Sequence, residues 1–456
     1  MPMLNVVKRN DGDMKRFCLN TGTMFDLATG KFLPGKNGWV LNGGLNITNA
    51  LVGREQTFKS SIALGYFARA LVNYIGATGI CYDTEYSISD VERITSLAGN
   101  RLDDSGKKID ERITLYDKTD YDMDGIFTVI KDIAEEKKAR HKEFIAETPF
   151  INPDTGKFFK SYTPTIVAID SWTLMQSAKE ISMFDKGLDD KGTNTSYMVD
   201  GNKKSQMMRQ LPLICSEAGI YLILTAHVGD SIKMDPFAPI QKDLPNMRAS
   251  DKIKGVGSQF NFLVSNLMET RSVSPVQVGE TRDKECKYPL DGGSSGVELQ
   301  EVGAIVCRCK NNMSGSYVRH IISQTSGIQE KLDYYHMLRE SKSTTIEGTV
   351  NQKMALMPDT GFNRKNVRAM IRDNYEFGRA MEIIGQFVFI QNNWNIPEFK
   401  NMDVMTFCNA LMHHEKPAIS DVLNSTGVWT FRDVKASRKY MSILDVFEMV
   451  AKNTKK

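Results

Sequence analysis

The segment from Ala50 to Leu71 constrains the fold more than any other. It reads Ala-Leu-Val-Gly-Arg-Glu-Gln-Thr-Phe-Lys-Ser-Ser-Ile-Ala-Leu-Gly-Tyr-Phe-Ala-Arg-Ala-Leu. An apolar lead-in, a polar loop and a tail with helical spacing predict strand, loop and helix in that order. Gly53-x4-Phe58-Lys59-Ser60 differs at one letter from the phosphate-binding pattern Gly-x4-Gly-Lys-Ser/Thr. In that pattern loop amides and a helix N-terminus converge on anionic oxygens. The first N–H groups of a helix lack intrahelical partners and carry the positive end of its dipole. The candidate nucleotide-binding residues are therefore Gly53, Arg54, Glu55, Gln56, Thr57, Phe58, Lys59, Ser60 and Ser61. Lys59 would meet the β/γ-phosphates and the Ser60 hydroxyl a Mg²⁺ ion. Phe58, where the pattern has Gly, is the departure.

Three more apolar runs end in polar residues: Gly79–Asp83 followed by Thr84-Glu85, Thr165–Ile169 followed by Asp170, and Ile220–Ala226 followed by His227. Continuous apolar runs suit strands covered on both faces, as in a parallel sheet. Such sheets bind ligands beyond the carboxyl ends of their strands. Asp170 is thus the candidate to back Mg²⁺, and Glu85 to orient or deprotonate a water. His227 is the candidate to couple that site to the loop after it. Further strands are expected at 113–116, 260–269 and 303–310, with 302–310 and 317–324 as an antiparallel edge. Helices are expected at 124–144 and 205–217, and a capped helix start at 89–94. The fold class is α/β, a mostly parallel central sheet plus a helical C-terminal domain. Residues 1–46 form a lead-in and 47–340 the core, with insertions at about 146–163 and 279–298. Residues 345–456 form the helical domain, with helices at 363–391, 402–412, 417–424 and 441–451.

Two polar segments read as loops. The first, 185–204, carries Lys186, Lys191, Lys203 and Lys204; the second, 228–257, carries Lys233, Phe237, Lys242, Arg248, Lys252 and Lys254. Cations with an interleaved aromatic suit single-stranded DNA. A net charge of +3 over 456 residues excludes wholesale coating of nucleic acid, so any such site is a local patch. Seven cysteines at scattered positions point to reduced thiols. The chain has neither a signal pattern nor an apolar run of about 18 residues. A soluble, cytoplasmic protein with no membrane contact is expected. His413-His414 are adjacent and do not face one metal.

With these pieces in this order, the chain resembles the RecA family of strand-exchange ATPases, and within it the phage UvsX branch. Phe25–Gly30 and Leu33-Pro34-Gly35 resemble the lead-in, the Phe-Lys-Ser ending resembles the UvsX loop, and Tyr82-Asp83-Thr84-Glu85 resembles the Asp-x-Glu pattern. Ile169-Asp170-Ser171 resembles the Mg²⁺-side strand, Thr225-Ala226-His227 the strand before the DNA loop, and Arg308–Asn312 the strand that reaches a neighbouring subunit. The resemblance spans about 25–340. It implies a RecA-like core using ATP and Mg²⁺, with Glu85, His227 and Lys310 as catalytic residues. Lys310 would act across a subunit interface. Implied partners are single-stranded DNA, duplex DNA and further copies of the chain in a helical filament. A ring helicase or translocase shares the same core, and a non-hydrolysing DNA-binding scaffold is the third alternative.

Overall fold

The computed structural model describes residues 14–99, 101–103, 105–178, 180–181, 193–231, 242–279, 284–290, 296–432 and 438–454. Helix α1 (Met24–Thr29) precedes the hairpin of β1 (Lys31–Gly35) and β2 (Gly38–Asn42). Strand β3 (Thr48–Gly53) is buried along its whole length and leads through the loop into α2 (Lys59–Asn73). Ile62, Tyr66 and Ala70, with Ala63, Phe67 and Leu71, form buried stripes at helical spacing on α2. These lay the helix over the sheet. Then come β4 (Thr78–Asp83), α3 (Val91–Ser96), β5 (Ile113–Asp117) and α4 (Met123–Ala139). The expected cap is present: the Asp90 side chain accepts the Arg93 N–H.

The hairpin insertion is β6 (Ile145–Ile151) with β7 (Phe158–Tyr162); it extends the β1–β2 hairpin into a four-stranded sheet. Next come β8 (Thr165–Asp170), α5 (Thr193–Ala218), β9 (Ile220–Asp230) and β10 (Asp251–Ile253). Short α6 (Phe260–Leu263) leads to β11 (Asn266–Pro275). A small ribbon, β12 (Gln277–Val278) with β13 (Glu285–Cys286), opens the 279–298 excursion. The edge strands β14 (Leu299–Cys309), β15 (Tyr317–Ser323) and β16 (Gly327–Ile328) precede α7 (Glu330–Glu340).

The large sheet runs β16-β15-β14-β11-β3-β9-β8-β4-β5. From β11 to β5 all neighbours are parallel; β14 to β16 form the antiparallel edge. The fold is therefore mixed α/β with a mostly parallel sheet. Its register places the polar strand ends. Gly53 sits opposite both His227 and Thr270, and Asp83 sits opposite Asp170. The ends of β3, β4 and β8 and the polar end of the apolar run in β9 thus lie close in register along one edge of the sheet, while β9 and β11 run on beyond them.

Four expectations need correction. Residues 193–204 are helical, the first turns of α5, although their Ser/Asn/Gly-rich sequence has no apolar period. The 228–257 segment is partly ordered, because β9 continues to Asp230 and pairs with β10. Residues 260–269 are a helical turn followed by a strand, since a short apolar run fits either. The C-terminal region opens with a three-stranded sheet, β17 (Ile346–Glu347), β18 (Gln352–Met354) and β19 (Met357–Phe362). Six helices complete it: α8 (Val367–Asp373), α9 (Tyr375–Asn393), α10 (Pro397–Asn401), α11 (Val404–Met412), α12 (Ile419–Leu423) and α13 (Ile443–Thr454). Their apolar faces share one cluster with Leu27 of α1 and Leu332 and Tyr335 of α7. None of the seven cysteines is paired. Among the described residues no helix is long and apolar enough to cross a membrane.

Candidate functional site

The Gly53–Ser61 loop is built around close approaches. A Cβ on Gly53 would lie 2.0 Å from Thr270 Oγ1 and 2.6 Å from Thr57 Oγ1, so only glycine fits. Thr270 donates to Thr57 Oγ1 at 2.7 Å, and Thr57 donates to the Arg54 carbonyl at 2.7 Å. Gln56 and Phe58 are left-handed, with φ of 58° and 60°. Phe58 occupies the N-cap of α2 and provides no side-chain cap. The first N–H groups of α2 therefore face outward uncapped, as an anion site requires. The departure from Gly is thus a strained Phe in the turn a glycine would adopt. Its cost is about 1–2 kcal/mol, offset by packing of the ring against the main core. Phe58→Val is expected to destabilise more than Phe58→Gly by about 1–2 kcal/mol, although Val retains more apolar surface. Urea unfolding checks this, and equal losses would remove the strain argument.

Behind the loop stand the acids. Asp170 is buried. Its Oδ1 accepts from Ser60 Oγ at 3.0 Å and from Thr225 Oγ1, while Oδ2 is buried with no partner among the described residues. Burial pushes its carboxyl above the ordinary range, and the Thr225 and Ser60 hydrogen bonds oppose that. Asp83 shapes the turn after β4: its carboxylate accepts the Glu85 N–H at 2.9 Å and the Ile88 N–H at 2.7 Å. The Thr84 N–H donates to the Asp170 carbonyl at 2.7 Å, joining the ends of β4 and β8. Glu85 is thereby brought to His227, whose Nε2 lies 2.9 Å from Oε1. That hydrogen bond holds Glu85 down at about 2 against partial burial, with Ser171 and Lys59 helping. The His227 N–H donates to Thr173 Oγ1 at 2.9 Å.

Lys59 is 6 % exposed. Its charge acts on both Glu85 and Asp170, and its ammonium makes no hydrogen bond to a described residue. Arg54 bonds Asp230 at 2.5 Å and Asp251 at 2.8 Å. It ties the loop to the β9–β10 ribbon. Lys59, Ser60, Glu85, Asp170 and His227 thus come together at one sheet edge. They form an uncapped helix N-terminus, a buried cation, an acid with a free oxygen and a clamped carboxylate.

Lys310 does not join them. It lies beside the start of β11, its N–H on the Ser265 carbonyl at 3.0 Å and its Nζ on the Leu263 carbonyl at 3.0 Å. Arg308, two residues earlier on the same strand face, donates to the Phe262 carbonyl at 3.0 Å. It is the residue that sequence reasoning passed over, and the two-residue spacing was the available signal. Asn312 donates to the Gly30 carbonyl at 2.6 Å and so belongs to the end of α1.

The loop cations divide. Lys204 is buried and donates to the carbonyls of Thr173 at 2.8 Å and Gly255 at 2.9 Å. Burial lowers its pKa to about 8. It clamps two segments together, which corrects the expectation of a phosphate contact. Lys203 pairs with Asp124. Lys254 donates to the Asp230 carbonyl at 2.7 Å, Arg248 to the Arg271 carbonyl at 3.2 Å and Lys242 to the Pro245 carbonyl at 3.4 Å. Lys252 is exposed on β10. Lys186, Lys191, Lys233 and Phe237 lie outside the described residues. No protein-family model matches the chain, and no curated protein matches it.

Proposed function

We propose that this chain is a DNA-dependent ATPase of homologous recombination. It would have a RecA-like core of the UvsX type, bind single-stranded DNA as a helical oligomer and promote its pairing with duplex. The observation that carries the reading is the meeting of two pairs, Ser60–Asp170 at 3.0 Å and Glu85–His227 at 2.9 Å, beside the uncapped start of α2. In-line phosphoryl transfer needs these parts: amides and a cation for the phosphates, a hydroxyl and an acid for the metal, and a carboxylate for the water. Mg²⁺, when bound, would neutralise charge on the phosphate oxygens. Ser60 Oγ would hold it, and the free Oδ2 of Asp170 fits a water on such an ion. Lys59 and the loop amides would hold the triphosphate.

A carboxylate clamped at about 2 is a poor proton acceptor. Hydrolysis would therefore require His227 to turn away from Glu85. His227 lies on β9, which continues into the Arg54-tethered ribbon, so DNA on that ribbon and the nucleotide would act through one strand. Lys310, remote from its own chain's site, and Arg308 beside it are suited to a neighbour's nucleotide.

Phosphate release with and without single-stranded DNA tests the reading; no DNA-stimulated release in the wild type would overturn it. Negative-stain images with DNA and a non-hydrolysable ATP analogue separate a filament from a ring. For the ribbon, Lys252→Ala with Lys254→Ala is expected to reduce the salt slope of DNA binding by about 1.4, two phosphate contacts at roughly 0.7 each. An unchanged slope would remove these lysines from the interface.

A further inference from the structure

At the far end of α2, about 20 Å along the helix from Lys59 at 1.5 Å per residue, lies a second concentration of positive charge. A cavity of about 200 Å³ is lined by Arg69, Arg101, Lys331 and Arg438, with Glu330 and Glu382. Arg379, fully buried, stands behind it and pairs with Glu382 at 3.1 Å. Four lining cations, with Arg379 behind them, thus face two carboxylates. Glu330 is shared between Arg69 at 2.9 Å and Arg101 at 2.5 Å. Lys331 and Arg438 have no carboxylate partner among the described residues; both lie over the Tyr375 ring, 4.7 and 3.4 Å from its centroid. Asp26, which accepts the Thr21 and Gly22 N–H groups, and Asp333, which pairs with His320, lie farther out and also act on Arg69. Helix α7 begins here with no side-chain cap, adding outward N–H groups.

The deeply buried Arg69 and Arg379 are paired with Glu330 and Glu382, whereas Lys331 and Arg438 are half-buried without a carboxylate partner among the described residues, and burial depresses the Lys331 ammonium. Four cations against two carboxylates in the lining leave a local positive excess that a multivalent oxyanion relieves. Guanidinium forks and helix amides suit phosphate oxygens in particular. A neighbouring hollow of about 540 Å³ shares Arg101, Glu330, Lys331 and Tyr375 and adds Arg368. The smaller cavity has room for one or two phosphoryl groups and the larger for an organic remainder.

We propose that this cavity binds the phosphoryl group of a small phosphate-bearing anion, at a site separate from the Gly53–Ser61 loop. Its walls come from residues 21–22, α2, Arg101, α7, α9, residues 426–430 and Arg438. An occupant would therefore pin the C-terminal helices to the core. The proposal is independent of the ATPase reading.

Calorimetric titration of the full-length Lys59→Met chain with pyrophosphate, and separately with adenosine monophosphate, tests it, because that substitution cripples the first loop. One anion per chain is expected. Pyrophosphate alone marks a free inorganic anion, and the monophosphate alone or tighter marks a nucleotide; either supports the site. Lys331→Gln with Arg438→Gln is expected to weaken binding at least tenfold. Arg101→Gln, at a more exposed position, should do the same while Glu330 keeps its Arg69 partner. Absence of binding in Lys59→Met, equal affinity in both sets of variants, or response to single-stranded oligonucleotide alone would each overturn it.

Discussion

Glu85→Gln is expected to lower kcat for ATP hydrolysis about 10³-fold while leaving ATP affinity within about threefold. A positioned base contributes roughly 10²–10⁴. The amide keeps the size of the carboxylate and an oxygen for His227 but cannot take a proton. Glu85 does not belong to the Gly53–Ser61 loop, so the loop's hold on phosphates would survive. The same substitution has a pH signature. The folded carboxylate is held at about 2, below its ordinary 4.5. A depressed acid stabilises the fold above its unfolded value and loses that contribution as pH falls through the folded one. Wild type should therefore exceed the Gln variant in stability at neutral pH, with the gap closing between about 4.5 and about 2. Single-turnover hydrolysis and urea unfolding at several pH values check the two parts. A kcat loss under tenfold would remove Glu85 from the chemistry.

Much of this site was legible because buried parallel strands write themselves as apolar runs. β3, β4, β8 and the apolar first part of β9 are written as such runs, and the polar residues that follow them were the candidates; the extension of β9 to Asp230 was not legible. That the runs end level could not be read. It comes from long-range register, Gly53 against His227 and Asp83 against Asp170, which no local pattern encodes. The clamp between Glu85 and His227 depends on it. Lys204 shows the converse. In sequence it is one cation of a polar segment; in the fold two carbonyls and burial tie it to the scaffold. The strands β17 to β19 were missed because pieces of two to six residues carry too little alternation. Phe58 was legible only as a departure. Its φ of 60° turns it into a statement about strain: the loop keeps the turn and replaces glycine's freedom with ring packing.

Lys59→Met is expected to weaken ATP binding at least 100-fold while leaving the ligand-free protein as stable as wild type, or up to about 1 kcal/mol more stable. The two effects have one cause. The Lys59 side chain is largely buried, yet its ammonium makes no hydrogen bond to a described residue, so the empty protein gains little from its charge beyond the attraction of Glu85 and Asp170. Met fills a similar volume and removes the charge. Each charge-assisted hydrogen bond that Lys59 would make to phosphate is worth about 1.5–3 kcal/mol, so losing two removes about two or more decades of affinity. Ligand binding to the folded state raises stability by mass action. A saturating ATP analogue should therefore raise the thermal midpoint of wild type and not that of the variant. A lysine serving only the scaffold gives the opposite pattern: lower ligand-free stability and an undiminished response to the analogue. Thermal unfolding of both proteins, with and without analogue, separates the two, because a lysine held for an anion matters to stability only when the anion is bound.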